Sequence, residues 1–250
     1  MGGICWIGGI LANEAIVVLG MHRSGTSAVA GALGLAGLQL PARTLPAQED
    51  NPRGFFEPVQ IVALNDRALR LGGTQWYGTG VLGAEAFAGE ESDRLVDQIV
   101  EALAGEYPGP QALVLKDPRL CRLVPLWQRA FAKAGMAWRA VLPLREPFEV
   151  AGSLRSRQGF PLDFGLVLWL RYVLDAEHAS RGAPRLFIRY HDLARAPAAV
   201  VDRIGAALVE GWQGLTSVQE QELARFVDPS LNQQAARQPR RRPPAAFASW

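Results

Sequence analysis

Gly20-Met21-His22-Arg23-Ser24-Gly25-Thr26-Ser27 is the stretch of this sequence best suited to chemistry. Two glycines bracket a histidine, an arginine and a serine, and two more hydroxyl residues follow. Set between a strand and a helix, such a loop turns backbone N–H groups into one concavity, where the helix dipole favours negative charge. Gly20 and Gly25 have the spacing of the triphosphate-binding loop G-x-x-x-x-G-K-[ST], but Thr26 stands where that loop carries lysine. The cation here is Arg23, inside the loop. The chemistry expected of His22, Arg23, Ser24, Gly25, Thr26 and Ser27 is the holding of a phosphate-like group.

The elements that position these residues follow from the apolar pattern. Ile16 to Leu19 is a buried strand, and the small-residue run Ala28 to Leu33 is the helix after the loop. Further strands are expected at Leu113–Asp117, Trp138–Leu144 and Arg185–Tyr190. Helices are expected from Glu57-Pro58 (apolar face Ile61, Val62, Leu64, Ala68, Leu69), from about Ser92, and over Leu123–Ala134, Pro147–Arg157, Asp163–Ser180 and Pro197–Leu208. Residues 38–54 read as loop, and 74–90 as an irregular segment carrying Trp76 and Tyr77. Strands alternating with helices give an α/β, P-loop-like three-layer fold, with a mainly parallel central sheet flanked by helices. Ligands of such sheets bind beyond the carboxyl ends of the strands. Those ends carry His22-Arg23-Ser24, Lys116-Asp117, Arg145 and Tyr190-His191-Asp192, a cationic crevice for a ligand with several anionic groups.

Composition narrows the classes. The chain has 250 residues, 49% hydrophobic, enough for one sizeable core. A net charge of +2 excludes the strong basic field of a nucleic-acid binder. Cys5 and Cys121 lie far apart without metal-ligand spacing, so reduced thiols and a cytoplasmic protein are expected. Met1–Leu11 is apolar but shorter than the about 20 residues a membrane span needs, and it lacks the features of a signal peptide. Residues 1–13 are expected to be a disordered extension, 14–231 the domain, and 232–250, with Arg237, Arg240, Arg241 and Arg242, a flexible Arg/Pro-rich tail. No carboxylate cluster suggests a metal.

The loop Gly20–Ser27 resembles the phosphosulfate loop of the sulfotransferases that use 3′-phosphoadenosine 5′-phosphosulfate (PAPS) and release PAP. Arg145-Glu-Pro-Phe-Glu-Val-Ala-Gly-Ser153 is similar to their second signature, an arginine ending a strand and a serine eight residues on. Lys116-Asp117-Pro118 resembles the lysine strand of tyrosylprotein-type and related bacterial members. Asn51–Glu57 and Arg189–Leu193 are similar to further family segments, the latter with His191 where glutamate is frequent. The resemblance spans about residues 14–231. It implies that Arg145 and Ser153 hold the 3′-phosphate, that the loop and Tyr190 border the donor, and that no metal is needed.

Transfer of a sulfuryl group to an acceptor hydroxyl sets three tasks. The leaving oxygen gains charge, which the loop N–H groups, Arg23 and Lys116 can stabilise. The acceptor hydroxyl needs a base, for which Glu57 is preferred, with His22 and then His191 behind it; Glu57 also suits a helix N-terminus. Donor and acceptor must be held in line. Asp117 is expected to orient Lys116, with pairing to Arg119 as the alternative; His178 is expected to be structural. The acceptor, a small molecule or glycan, is expected to meet residues 38–90 and the helices after Arg157, where Phe55, Phe56, Trp76, Tyr77 and Trp169 offer stacking surfaces. The rival readings are a P-loop kinase or nucleoside triphosphatase and a non-catalytic module binding PAPS or PAP. The sequence leaves the oligomeric state open.

Overall fold

The computed structural model describes residues 14–48, 51 and 53–227. The extension 1–13, the tail 232–250 and the far end of the 14–231 domain lie outside the described residues. Glu14–Val18 (β1), Leu113–Lys116 (β2), Ala137–Leu144 (β3) and Arg185–Arg189 (β4) form one sheet of order β2-β1-β3-β4, parallel throughout. The helices are Thr26–Leu35 (α1), Val59–Leu71 (α2), Glu90–Glu106 (α3), Leu120–Ala134 (α4), Pro147–Gln158 (α5), Leu162–Ala179 (α6), Tyr190–Arg195 (α7), Pro197–Leu208 (α8) and Ser217–Phe226 (α9).

The strands read as unbroken apolar runs because both sheet faces are covered. Ala15 and Val17 of β1 enter one core, with Ile61 (α2), Leu95 (α3), Trp127 (α4), Leu154 (α5) and Tyr172 (α6). Ile16 and Val18 enter the other, with Val29 and Leu33 (α1), Ile204 (α8) and Leu223 (α9). This is the three-layer α/β arrangement expected. The small residues of α1 have a packing reason: a Cβ on Gly31 would come within 2.3 Å of Phe226 Cζ and 2.9 Å of Phe56. The helix can lie against α9 only with glycine there.

Several elements differ from expectation. The strand ends at Arg189, and Tyr190 opens α7. Helix α9 was not anticipated, although Thr216 and Gln219 form a reciprocal capping box at its start. Helix α4 begins at Leu120 rather than Leu123 and carries Pro125. The buried stripe of α2 is Ile61, Asn65, Ala68 and Leu69; Val62 and Leu64, expected on it, are half-buried, and the polar Asn65 is buried instead.

Candidate active site

The loop after β1 is held in a shape few sequences allow. Gly25 has φ 84°, and a Cβ there would sit 2.1 Å from Tyr190 Cδ2. Arg23 (φ 71°) and Phe56 (φ 56°) are the non-glycine residues with positive φ among the described residues, and both border this site. Each such residue costs on the order of 1–3 kcal/mol. Arg23 is tied down twice: its Nε donates to Ser153 Oγ (2.8 Å), and its carbonyl accepts from Arg145 Nη1 (3.0 Å). Helix α1 starts at Thr26 with no side chain capping it, so its first-turn N–H groups keep their affinity for an anion. Ser24 Oγ and His22 Nε2 are buried without a hydrogen-bond partner among the described residues.

A second arm comes from β3 and α5. Arg145 Nε donates to Glu149 (2.8 Å), and its guanidinium lies 4.8 Å from the centroid of the Tyr190 ring. Glu146 caps α5 by accepting from Phe148 N (2.7 Å) and Glu149 N (3.1 Å), with Pro147 at the first position. That cap fixes the helix whose next turn carries Ser153, which is buried. Arg23, Arg145, Ser153 and Tyr190, from four parts of the chain, therefore form one connected group.

On the other side of the loop, Lys116 Nζ donates to Ser27 Oγ (3.1 Å), Phe55 O (3.1 Å) and Glu57 Oε1 (2.5 Å). Lys116 and Glu57 are 2% and 7% exposed, so this is a buried ion pair. Arg119 Nη1 stands 3.8 Å from Glu57 Oε2, 2.9 Å from Asp117 Oδ1, and Arg119 Nε 2.6 Å from Asp66. Burial pushes the Glu57 carboxyl above its ordinary range, with Lys116 opposing. Asp117 does not orient Lys116. Its Oδ1 takes Arg119, and its Oδ2 accepts from Asn65 Nδ2 (2.8 Å), whose Oδ1 accepts from Trp127 Nε1 (2.8 Å). The physical reason is completeness: Asp117 is fully buried, and Asn65 of α2 with Arg119, just before α4, satisfies it. Asn65, Asp66 and Trp127 went unsuspected. Only the position of Asn65 on the apolar stripe of α2 signalled them. Glu57 precedes α2, which Pro58 caps, so the carboxylate serves the lysine rather than the helix start.

His22 leads from the loop to an aromatic surface. Its ring lies 4.8 Å from Trp76 and 6.0 Å from Tyr172, and Trp76 continues to Tyr77 (5.3 Å) and Phe160 (5.7 Å), then Phe164. Burial, then the charges of Arg119, Lys116, Arg157 and Arg23, push the imidazole pKa well below its ordinary value, which favours the neutral ring. The segment carrying Trp76 and Tyr77 is pinned: Arg122 donates to Gly78 O and Gly80 O (both 2.6 Å), and Tyr172 OH to Trp76 O (2.5 Å). Phe55 sits under the Arg157 guanidinium at 5.5 Å. Of the other expected stacking residues, Phe56 packs on Phe226 and Trp169 against the core. His191 lies in α7 and His178 on the outer side of α6. Among the described residues no group of three or more His, Cys, Asp or Glu could hold a metal, and no helix is long and apolar enough to cross a membrane.

No protein-family model matches the sequence, and no curated protein does. Among solved structures, the sulfotransferase domain of the Synechococcus PCC 7002 olefin synthase superposes with a TM-score of 0.56 at 16% identity, over 93% of this chain and 90% of that one. The sulfotransferase domain of the curacin biosynthetic pathway gives 0.49 at 17% identity, covering 90% of each chain. A sulfotransferase from Alicyclobacillus acidocaldarius gives 0.46 at 16% identity, over 90% of this chain and 95% of that one. The first of these shows the fold: this chain is built as a sulfotransferase domain is.

Proposed function

We propose that the protein is a sulfotransferase that moves the sulfuryl group of PAPS to an acceptor hydroxyl. The observation that carries this reading is a single loop with two separate places for an anion, the uncapped start of α1 and the arm of Arg145 and Ser153. Arg23, Arg145, Ser153 and Tyr190 are joined on one side, and Lys116 with Glu57 lies on the other. A donor with a 5′-phosphosulfate and a separate 3′-phosphate needs two such grips. Ser24 Oγ, His22 Nε2 and the uncapped N-terminus of α1 fit the phosphosulfate, each offering an unused polar group inside the cradle.

PAPS, when bound, supplies a sulfuryl group whose bond to the bridging oxygen breaks as the bond to the acceptor oxygen forms. The N–H groups of α1, Arg23 and Lys116 stabilise charge on the departing oxygen. Arg145 and Ser153 take the 3′-phosphate, an arginine fork with a hydroxyl suiting a dianion. Glu57 removes the acceptor proton, and Lys116 holds it in place until then. The pinned Trp76–Tyr77 segment, with Phe160 and neutral His22, forms the acceptor side, suited to a sugar or an aromatic ring. Protein cations do the work that Mg²⁺ does in phosphoryl transfer, where the transferred group is more highly charged.

The test is transfer of radiolabelled sulfate from PAPS to a panel of phenols, sugars and glycans. Label is expected in one acceptor class, undiminished by EDTA. Transfer of phosphate from ATP, abolished by EDTA, would point to a kinase; PAP binding without transfer to any acceptor would leave a binding module. Glu57→Gln is expected to lower turnover by about 10²–10⁴-fold with PAP affinity unchanged. Because burial raises the Glu57 pKa, the base is lost to protonation at a pH above the ordinary carboxylate range. The acidic limb of the wild-type rate profile should therefore lie above that range and vanish in Glu57→Gln. An unchanged profile removes Glu57 as the base.

A further inference from the structure

The outer side of α6 is apolar where a surface helix is normally polar. Val167, Leu170 and Leu174 are 51%, 50% and 48% exposed. Their steps of three and four residues place them on one stripe. Gly165, Leu168, Tyr172 and Ala176 fill the opposite side and are buried in the core. A helix apolar on both sides is built to be covered on both. The surface beside it is also open. Among the described residues β4 pairs only with β3, and Phe187 on that edge strand is 39% exposed. Arg185 ties the edge to α6, donating to Glu177 O (2.6 Å) with its guanidinium 5.5 Å from the Phe187 ring centroid.

We propose that this surface is the interface of a homodimer, with α6 packed antiparallel against α6 of a second copy about a two-fold axis near Leu170. A two-fold contact needs a self-complementary patch, and the stripe is one. Turned end for end about a point between Leu170 and Arg171, it sets Val167 against Leu174 of the second copy. Leu170 then meets Leu170 near the axis, and Asp163 meets His178. Each dimer thus has an apolar centre flanked by two carboxylate–imidazole contacts. A parallel arrangement would set Asp163 against Asp163 of the second copy. A lipid surface fits less well, because Asp163 and Glu177 flank the apolar residues and would enter the headgroups with them. A specific interface buries about 800 Å² per partner, more than three side chains offer. Asp163, Arg171, His178 and Phe187 must lie within it, and the association is weak enough to depend on concentration. The inference is independent of the reaction proposed above.

The experiment is sedimentation of the full chain over a concentration series, paired with Leu170→Glu and Leu170→Cys. The wild type is expected to pass from monomer to dimer. Leu170→Glu is expected to stay monomeric with the melting temperature of the dilute, monomeric wild type, because Leu170 is half exposed. Leu170→Cys in a Cys5→Ser background is expected to give a dimer-sized band with a short bismaleimide that Cys5→Ser alone, whose Cys121 is buried, does not give. A wild type that is monomeric at every concentration overturns the proposal, as does a dimer that Leu170→Glu leaves intact. Dimers that appear only after deletion of residues 1–13 overturn it in favour of that apolar segment as the cover. Binding of the monomer to anionic vesicles, lost in Leu170→Glu, overturns it in favour of lipid.

Discussion

Replacing Lys116 by methionine is expected to lower turnover by about 10²–10³-fold, the usual effect of removing one donor to a charge that develops during reaction. It is also expected to destabilise the fold by about 3–5 kcal/mol, because it leaves the buried Glu57 carboxylate without its hydrogen-bonded partner and with only Arg119 at 3.8 Å. Both partners are almost wholly buried, so solvent screening gives little relief. The two effects separate in a double variant. Adding Glu57→Gln to Lys116→Met removes the orphaned charge and should return most of the stability, read by urea denaturation, but none of the turnover. The destabilisation of Lys116→Met should also depend on pH in one direction. Burial already raises the Glu57 pKa, and loss of the lysine raises it further. The protonated form fits the folded state, so stability is retained at low pH and lost as pH rises through the folded-state value. A double variant that regains turnover would mean that neither Lys116 nor Glu57 takes part in the reaction.

Gly25→Ala is the second large expected effect. The methyl group would fall 2.1 and 2.5 Å from two Tyr190 ring carbons, at a backbone φ of 84°. The left-handed conformation costs an alanine about 1–2 kcal/mol, and overpacking adds about 1–3. A total of about 2–5 kcal/mol follows from these two terms. The ring that must move is the one beneath the Arg145 guanidinium, so the damage reaches the second phosphate arm. Loss of one charge-assisted hydrogen bond, about 1.5–3 kcal/mol, weakens PAP binding roughly tenfold or more. Removing the ring as well, in Gly25→Ala with Tyr190→Ala, should recover part of the stability and none of the PAP affinity. Wild-type PAP affinity in Gly25→Ala would show that neither the loop nor Arg145 holds the ligand.

Much of this site could be read from residue order because strand ends in a parallel sheet converge without any knowledge of side-chain contacts. The apolar run before Gly20 and the strands ending at Lys116 and just before Arg145 sufficed to bring the loop, the lysine and the arginine to one edge. Pro197 marked the start of α8 to the residue. What escaped depends on contacts between layers. Asp117 looked free to steer its neighbour Lys116, yet Asn65 reaches it from a helix 52 residues away, itself held by Trp127. The direct bond from Arg23 to Ser153 spans 130 residues and has no local signature. Helix α9 was legible in the Thr216–Gln219 capping box, but its short apolar pattern hid it. Phe56 offered itself as a stacking surface and instead packs on Phe226 in the other layer, because a positive φ turns the chain between Phe55 and Glu57.

The central claim is that one ligand carries two anionic groups, held by the loop and by Arg145 with Ser153. Thermal denaturation with PAP or with AMP, for the wild type and Arg145→Ala, tests it most directly, since the two ligands differ by the 3′-phosphate alone. At 100 times its dissociation constant a ligand adds about 2.7 kcal/mol, which raises the melting temperature of a chain this size by about 5–11 °C. PAP is expected to give a shift of that order in the wild type and AMP far less at the same concentration, with the difference erased in Arg145→Ala. Equal stabilisation of the wild type by PAP and AMP would contradict the claim.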